Sequence, residues 1–432
     1  MCRSLIVFAA FCAGSVVARA QTETLTLDEA IARGLAASHR VAEAGARQEA
    51  AEAVEDQRQA AAMPLTSMQA GYTRTNHVVP FGIPGELLIY PDVPDNYRWR
   101  IDLQWSIYNG GRTSALTRAA AAEADAAVQD RETARVDVKL EIARAYWAVI
   151  TARTAVDVVG QALARMEAHL VDVRNQLNVG LVPPSDVLSV EAQHARQQLL
   201  LIEARNLAET TGAEFRRIVG LAPEMPFELE DRIDTPSTPS PEVASLVEAA
   251  RANRTDRKAL ESRLDALGER VAAAQAGRLP EVVTVAGYDL ANPNPHIFPR
   301  QEVWKPSFDV SVNLTWALFD GGRVRAQVAE VAANRRAAVE RLREFDDSID
   351  LEVRQRAADL ASAEAAITAT DVAVRSAAEA RRVIADRFAA GVATNTDVID
   401  AQVVLLQAEL DRTRALANAH LAVARLDRAL GR

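Results

Sequence analysis

The sequence has almost no cysteine, since Cys2 and Cys12 are the only two among 432 residues. Both lie in an N-terminal segment with an apolar run over 5–13 and a small-x-small tripeptide at 18–20, which is typical of a cleaved secretory signal peptide. Residues 1–20 are therefore predicted to be a signal peptide that is removed on export. We accordingly expect neither a disulfide nor a thiolate site in the mature chain.

Long apolar runs and positive charge are also scarce. Beyond the signal peptide no stretch reaches the roughly 18 apolar residues that a membrane-spanning helix needs, so any membrane role would have to come from β-strands. The net charge is −10, with 59 acidic against 49 basic residues, which makes the chain a poor binder of nucleic acid. The six histidines are scattered, and no Gly-rich Lys-Ser/Thr loop occurs, so we expect no metal, no cofactor and no enzymatic activity.

Proline and glycine are missing from two long runs of equal length. Residues 112–179 contain no proline and a single glycine, Gly160, and residues 323–390 contain neither. Each run predicts a helix about 100 Å long at the usual rise per residue. Apolar residues in the first run recur every three or four residues, as in a coiled-coil seam, but Thr370 and Arg381 interrupt the matching positions in the second. The two helices are therefore expected to pack differently.

Internal repetition is the most informative feature that is present. The sequence IYNGGR at 107–112 recurs as LFDGGR at 318–323, and the segment at 179–181 recurs around Gly391-Val392, both with an offset of 211 residues. Equal offsets at two distant landmarks mean that the two copies have the same length between them. We therefore predict a first repeat over 21–220, a proline-rich linker over 221–241 and a second repeat over 242–432.

Each copy also contains a segment in which apolar and polar residues alternate. The alternation over 99–107 and 308–318 has the length and pattern of a tilted transmembrane β-strand with a wet lumen, although a half-buried strand of a soluble sandwich would show it too. Weaker alternating runs at 68–79 and 282–290 precede these strands, across proline- and glycine-rich loops. Each copy is thus predicted to contain a β-hairpin.

Proline and glycine mark the boundaries between the predicted elements. Prolines end the incoming helices, paired glycines turn each strand into a long helix, and a left-handed glycine ends each long helix before a second helix runs back. In that order, these residues are Pro64, Pro280, Gly110, Gly111, Gly321, Gly322, Gly180 and Gly391. The order helix, β-hairpin, long helix, turn, helix therefore occurs twice.

Four strands per chain are too few to form a membrane barrel. The smallest known barrels have about eight strands, and an open sheet edge cannot face lipid. A secreted chain with four amphipathic strands must therefore pool strands between subunits. This argument predicts an obligate oligomer without giving the number of subunits.

Three motifs resemble those of a known family. They are the opening LTLDEAI at 25–31, the strand that twice ends in Gly-Gly-Arg, and the tip at 179–181 with Asp186 and Val187 behind it. Together they resemble the TolC-like outer-membrane efflux family over essentially the whole mature chain. The resemblance implies a mostly α fold with a small membrane β part. Two repeats per chain would supply four strands to a trimeric 12-stranded barrel above an antiparallel coiled-coil tunnel.

The same resemblance implies a function and partners. The chain would be an outer-membrane exit duct in a Gram-negative cell, passively conducting cargo from an inner-membrane transporter and a periplasmic adaptor. The alternatives are a channel for type I protein secretion and, from a different class, a periplasmic coiled-coil adaptor. The duplicated β-hairpins argue against the adaptor, whereas the cargo stays open between drug, metal ion and polypeptide.

The resemblance also implies roles for aspartates near the helix starts. The family lines its periplasmic entrance with an aspartate pair, which Asp397 and Asp400 match, and three chains would form acidic rings that attract cations. Alternatively, these aspartates only favour a helix N-terminus capped by Thr394 or Thr396.

A third aspartate, Asp186, matches an aspartate of the family's gate. Its tyrosine and arginine partners in the family are replaced here by Phe388 and Ala393. The gate lock is therefore absent or rebuilt, with Arg387 as a candidate partner. The alternative is that Asp186 only starts a helix.

The two turns between helices are the predicted docking tips for the adaptor. Apolar residues exposed on a turn suit docking, although in a Schellman helix end the apolar residue after the glycine would pack locally. The predicted tip residues are Val179, Gly180, Leu181, Gly391 and Val392.

Overall fold

The computed structural model describes residues 23–83, 85, 87–230 and 242–432. The predicted signal peptide lies outside this part, as do residues 231–241 of the predicted linker. The described residues divide into two compact units. We call the described parts of Met1–Ser38, Val138–Ser240 and Ala358–Leu426 the tip unit, and those of His39–Asp137, Pro241–Ala357 and Asp427–Arg432 the sheet unit.

Helices dominate both repeats. The first repeat contains β1 (Glu23–Leu25), α1 (Leu27–Ala37), α2 (His39–Ala60), β2 (Leu65–Arg74), β3 (Phe81–Ile83), β4 (Leu87–Tyr90), β5 (Asp95–Tyr108), α3 (Arg112–Asn178) and α4 (Pro184–Val219). After it come β6 (Phe227–Leu229), α5 (Val243–Asn253), α6 (Thr255–Gln275), β7 (Glu281–Asn292), β8 (Lys305–Thr315), α7 (Arg323–Ala389) and α8 (Asn395–Ala429). This order confirms the predicted mostly helical fold with two structural repeats. None of the described helices is both long and apolar enough to cross a membrane.

The predicted hairpins join into one four-stranded sheet in the sheet unit. Its order is β2-β5-β7-β8, and all neighbours are antiparallel. The second strand of the second copy ends at Thr315 and not at the predicted residue 318, because Thr315 pairs with Glu281, where β7 begins. The loop predicted before β5 also contains structure, since β3 and β4 pair there as a small hairpin.

The sheet has one exposed apolar face and one polar face. Phe308, Val310, Val312 and Leu314 of β8 are all exposed, whereas Asp309 between them pairs with Arg100 of β5. The outer edges of β2 and β8 have no strand partner among the described residues. The protomer therefore presents an apolar sheet surface and two open edges.

The helices of the tip unit pack along the predicted coiled-coil seam of α3. Met166 and Val173 of this seam are fully buried, in a cluster that includes Val190 of α4. Phe388 and Ile399 of the second repeat pack against the same cluster. Residues from both repeats thus share one apolar core in this unit.

The N-terminal segment departs from the single incoming helix that was expected. It breaks at Ser38 into α1 and α2, and β1 before it pairs in parallel with β6. β6 lies inside the segment predicted to be a linker. There the buried Phe227 packs against Phe215, with 5.1 Å between the two ring centroids. This tertiary contact gives local order to a proline-rich segment that has no periodic pattern.

In the sheet unit, a buried arginine at the junction of α5 and α6 connects these helices to α7. Arg254, which is 4% exposed, lies between α5 and α6 and donates to Asp256 at 2.7 Å and to Glu352 of α7 at 2.5 Å. Burial alone would raise the pKa of Asp256, but the hydrogen bond and charge of Arg254 outweigh it and hold the pKa below its ordinary value. Asp256 is therefore ionised in the folded protein at any pH near neutral.

We predict that Asp256→Asn destabilises the protein at neutral pH and flattens its loss of stability in acid. The folded pKa lies below the unfolded value of about 3.9, so the carboxylate stabilises the fold above that value and loses its contribution as pH falls through the folded pKa. Removing it from a buried partner should cost about 1–3 kcal/mol at pH 7.

Thermal melts of the detergent-solubilised protein, followed by circular dichroism from neutral to strongly acidic pH, would measure this. Asp350→Asn is the control, because Asp350 pairs with Arg354 on the exposed surface of one helix and should matter little. Parallel pH profiles for wild type and Asp256→Asn would contradict the prediction.

Candidate functional site

In the tip unit, α3 and α7 both end in the same hydrogen-bonded motif, at the turn that leads to the next helix. Gly180 has φ of 78° and donates to the Leu177 carbonyl at 2.9 Å, while Leu181 donates to the Gln176 carbonyl at 2.9 Å. At the second turn Gly391 has φ of 74°, and Val392 donates to the Arg387 carbonyl at 2.9 Å. These bonds define Schellman motifs, in which the left-handed residue favours glycine.

The apolar residues of the two turns are left uncovered in the protomer. Val179, Leu181 and Val392 are 70%, 74% and 64% exposed. In a Schellman motif the apolar residue after the glycine commonly packs against its own helix, and this packing was the alternative to docking at the tips. Here the hydrogen bonds form without that packing, so the three side chains remain available for a contact outside the protomer.

At the start of α8, Thr394 is the helix cap. Its hydroxyl accepts from the Asp397 backbone N–H at 3.2 Å, and its own N–H and hydroxyl donate to the Asp397 carboxylate at 2.8 and 2.7 Å. This reciprocal capping box holds the pKa of Asp397 below its ordinary value. Asp400 lies one turn further along the helix, exposed and outside the capping box. The two aspartates therefore differ in their local roles.

Arg387, the candidate partner for Asp186, bonds elsewhere. Its guanidinium donates to the Val392 carbonyl of its own turn, at 3.5 Å. The backbone carbonyl of Asp186 instead accepts from the side-chain amide of Asn395, at 3.2 Å. The contact between the two tips thus uses the main chain of Asp186 and a residue that sequence reasoning had not singled out.

Asn395 belongs to a buried polar bridge with His169. The His169 Nε2 lies 2.8 Å from the Asn395 Oδ1, and both residues are buried. Because the Asp186 carbonyl can only accept, the amide nitrogen of Asn395 donates to it, and the Asn395 oxygen accepts from His169. The His169 Nε2 therefore carries a proton, and the bridge connects α3, α4 and α8.

The ring of His169 also packs against the aromatic residue that replaces the family's tyrosine. The Phe388 ring centroid lies 5.3 Å from the His169 ring centroid, in an edge-to-face arrangement. Phe388 cannot form a side-chain hydrogen bond, and its ring is part of the shared apolar cluster of the tip unit. No sequence signal could have identified the bridge, because His169 and Asn395 lie 226 residues apart.

The predicted boundary residues lie where the elements change. Pro64 and Pro280 immediately precede β2 and β7. The paired glycines between strand and long helix all have positive φ, at 66° and 79° in the first copy and 66° and 87° in the second. These are Gly110, Gly111, Gly321 and Gly322.

One acidic cluster in the sheet unit has the composition of a metal site. Potential ligand atoms of Asp289, His296 and Asp309 lie within 4.8 Å of one another. Arg98 donates to Asp289 at 2.5 Å, and Arg100 pairs with both carboxylates. Because both carboxylates already pair with guanidinium groups, the cluster is an ion-pair network with little attraction left for a cation. Sequence spacing could not show that His296 lies beside acidic groups.

Comparison with known proteins places the whole arrangement in a family. The family model described as "Outer membrane efflux protein" matches residues 30–221 and 246–432. Escherichia coli outer membrane protein TolC is 27% identical over 334 residues, which are 74% of this chain and 66% of TolC. Protein CyaE of Bordetella pertussis is 29% identical over 245 residues, 55% of this chain and 51% of CyaE. The matches thus span about two thirds and about half of these relatives.

Solved structures show the same fold. The outer membrane protein VceC of Vibrio cholerae matches with a TM-score of 0.79 at 22% identity, over 94% of this chain and 96% of VceC. CusC matches with a TM-score of 0.82 at 14% identity, over 95% and 93%. Because the family model matches most of the residues, the chain belongs to the outer membrane efflux protein family. This is a family of transport proteins and not of enzymes. Membership in it confirms the predicted location of the chain in the outer membrane.

We predict that Asn395→Ala loosens both tips, because it leaves the His169 N–H and the Asp186 carbonyl without their buried partner. The cost should be about 1–3 kcal/mol, which corresponds to roughly 5- to 150-fold acceleration of amide exchange where local opening controls it. Hydrogen–deuterium exchange of peptides covering 183–190 and 391–400 would measure this.

Thr396→Ala is the matched control for this experiment. Thr396 lies on the same turn as Asn395 but is exposed and outside the bridge. Unchanged exchange over 183–190 in Asn395→Ala would show that the bridge does not couple the two tips.

Proposed function

We propose that the chain is one protomer of a trimeric exit duct in the outer membrane. It passively conducts cargo that an inner-membrane transporter and a periplasmic adaptor deliver, and it carries out no catalytic step. The observation that carries this proposal is the four-stranded sheet with an exposed apolar face and two open edges. A sheet of this kind in an outer-membrane protein requires other copies to complete it.

The open edges support assembly from identical chains. In lipid the backbone groups of β2 and β8 need partners, and four strands are fewer than the roughly eight of the smallest membrane barrels. The β2 edge of one copy can pair with the β8 edge of the next and so continue the antiparallel order. Three copies would give a closed barrel in which the apolar face contacts lipid and the polar face lines the lumen.

An uncovered seam on α4 supports the same assembly. Its residues recur at spacings of four and three, and all are exposed: Leu188, Ala192, Ala195, Leu199 and Ile202. At the equivalent positions of α8, Leu406 and Leu410 pack onto Val159 and Leu163 of α3 within the chain. The internal repeat thus predicts that the α4 seam packs onto α7 of a neighbouring copy.

We assign the periplasmic entrance to the start of α8 and the facing start of α4. Asp397 and Asp400 of three chains would form two acidic rings, with Asp186 beside them. Asp397 serves both the helix cap and the ring, whereas Asp400 is free to serve the ring alone. The bridge from His169 through Asn395 to the Asp186 carbonyl takes the place of the family's side-chain lock within each protomer.

We assign adaptor docking to the two uncovered turns. They present the exposed side chains of Val179, Leu181 and Val392, with Gly180 and Gly391 setting the turn geometry. Small apolar contacts of this kind match the hydrophobic centre of a protein interface. The alternative of a periplasmic adaptor is not supported, because both repeats match the outer membrane efflux protein family.

We predict that Leu181→Asp abolishes recruitment of the adaptor while leaving the trimer and its outer-membrane level unchanged. A charge placed in a small apolar contact cannot be desolvated cheaply. The measurement is co-purification of tagged chain from cross-linked envelopes of the native host, with the adaptor and transporter identified by mass spectrometry. Val54→Asp makes the same kind of change on α2 and should leave recruitment intact. Full recruitment by Leu181→Asp would refute tip docking.

We predict that the purified trimer conducts ions in planar bilayers and prefers cations, and that Asp400→Asn lowers this preference and weakens block by multivalent cations. The helix start should be unaffected, because Asp400 takes no part in the capping box. Reversal potentials in asymmetric salt measure the effect, and Asp411→Asn on the same helix is the charge-matched control. Absence of conductance by the wild type would refute the channel, and wild-type selectivity in Asp400→Asn would refute the ring.

A further inference from the structure

A pocket on the polar face of the sheet has a basic wall. Its volume is about 290 Å³, and it lies between β2, β5 and the loop that joins β7 to β8. The polar side chains that line it are Gln69, Thr73, Asn96, Arg98, Arg100 and Arg300. Three arginines thus line one cavity, and no carboxylate is among the described residues that line it.

Arg300 is the distinctive member of this wall. Its guanidinium donates to the Asn96 Oδ1 at 2.5 Å and to the Tyr90 hydroxyl at 2.8 Å, and it lies 5.2 Å from the Tyr90 ring centroid. All these partners are neutral, and none of the ion pairs among the described residues includes Arg300. The side chain is therefore held in position while its positive charge stays without a counter-charge.

The other two arginines that line the pocket form ion pairs with a buried carboxylate. Arg98 and Arg100 both pair with Asp289, whose side chain is 1% exposed, whereas the Arg98 side chain is 49% exposed. The carboxylate of Asp289 is thus buried, while the Arg98 side chain stays half exposed at the pocket. Arg100 also pairs with Asp102 and with Asp309, whose side chain is 43% exposed, so Arg98 and Arg300 are the two arginines that can offer donors to a solute.

The strand and the loop are both built to hold this arrangement. A Cβ at Gly287 would overlap the Arg100 guanidinium, so glycine at this position leaves room for Arg100 to cross β7 and reach Asp309. The buried amide of Asn294 donates to the Lys305 carbonyl at 2.8 Å and to the Ser307 hydroxyl at 2.9 Å. These contacts anchor the loop that carries Arg300 before any ligand is present.

We propose that this pocket binds a small soluble oxyanion, a phosphate or carboxylate group, between Arg300 and Arg98. Guanidinium groups match such groups because their paired N–H donors fit two oxygens at once, and a preorganised donor loses little entropy on binding. The binding itself depends only on the protomer. The proposed function enters in one respect, since it makes the polar face the lumen and so places the site along the path of the cargo.

The test is isothermal titration calorimetry of the detergent-solubilised full-length protein with inorganic phosphate and, separately, with citrate at low ionic strength. We expect saturable binding with one site per protomer, weakened at least tenfold by Arg300→Gln. Lys305→Gln is the matched control, because it removes one positive charge from the start of β8, directly after the loop that carries Arg300. The Lys305 amine bonds to Gln301 at 2.5 Å and is not part of the pocket wall. The Lys305→Gln protein should therefore bind phosphate and citrate as the wild type does.

A second variant keeps the test decisive if Arg300→Gln does not assemble. Arg300→Lys retains the charge but loses the paired donors, and it should weaken binding at least threefold. No saturable binding by the wild type, unchanged binding by either Arg300 variant, or equal weakening by Lys305→Gln would each overturn the proposal. Conductance of the wild type in planar bilayers is measured separately, so a failed oxyanion site and a failed channel assignment give different results.

Discussion

The pairing of β5 with β7 is the interaction on which the rest of the protomer depends. This antiparallel ladder joins the hairpin of the first repeat to that of the second and leaves β2 and β8 as the open edges. It also sets Arg98 and Arg100 opposite Ala291 and Asp289, so the ion pairs on the polar face follow from the register. A shift by one residue would reverse both faces of β5 and destroy these pairs.

The duplication supplies a scaffold that the two copies then use differently. Leu406 and Leu410 of α8 pack against α3 of their own chain, whereas the equivalent Ala195 and Leu199 of α4 are exposed. The polar bridge has no counterpart, because the positions equivalent to His169 and Asn395 are Ala380 and Pro184. Divergence at equivalent positions therefore separates a surface used within the chain from one available to a neighbouring copy.

The tip unit combines two kinds of contact with opposite requirements. Inside it, the apolar cluster and the bridge through Asn395 are buried and bind the two repeats together. On its surface, the two turns expose apolar side chains to water, and backbone hydrogen bonds hold the shape of each turn. A rigid interior with exposed apolar turns is well suited to a contact that must not deform the protomer.

The sequence by itself determined the elements whose causes are local. The predicted runs at 112–179 and 323–390 differ by one residue from α3 and α7, because the glycines that end these helices act through their own φ. The cap at Thr394 and the alternation of the strands depend equally on near neighbours. Only the tertiary structure decided the β5–β7 register, the β1–β6 pair, the His169–Asn395 bridge and the basic pocket. Each joins residues far apart in the chain, and burial and hydrogen bonding between such residues leave no periodic signal in the sequence.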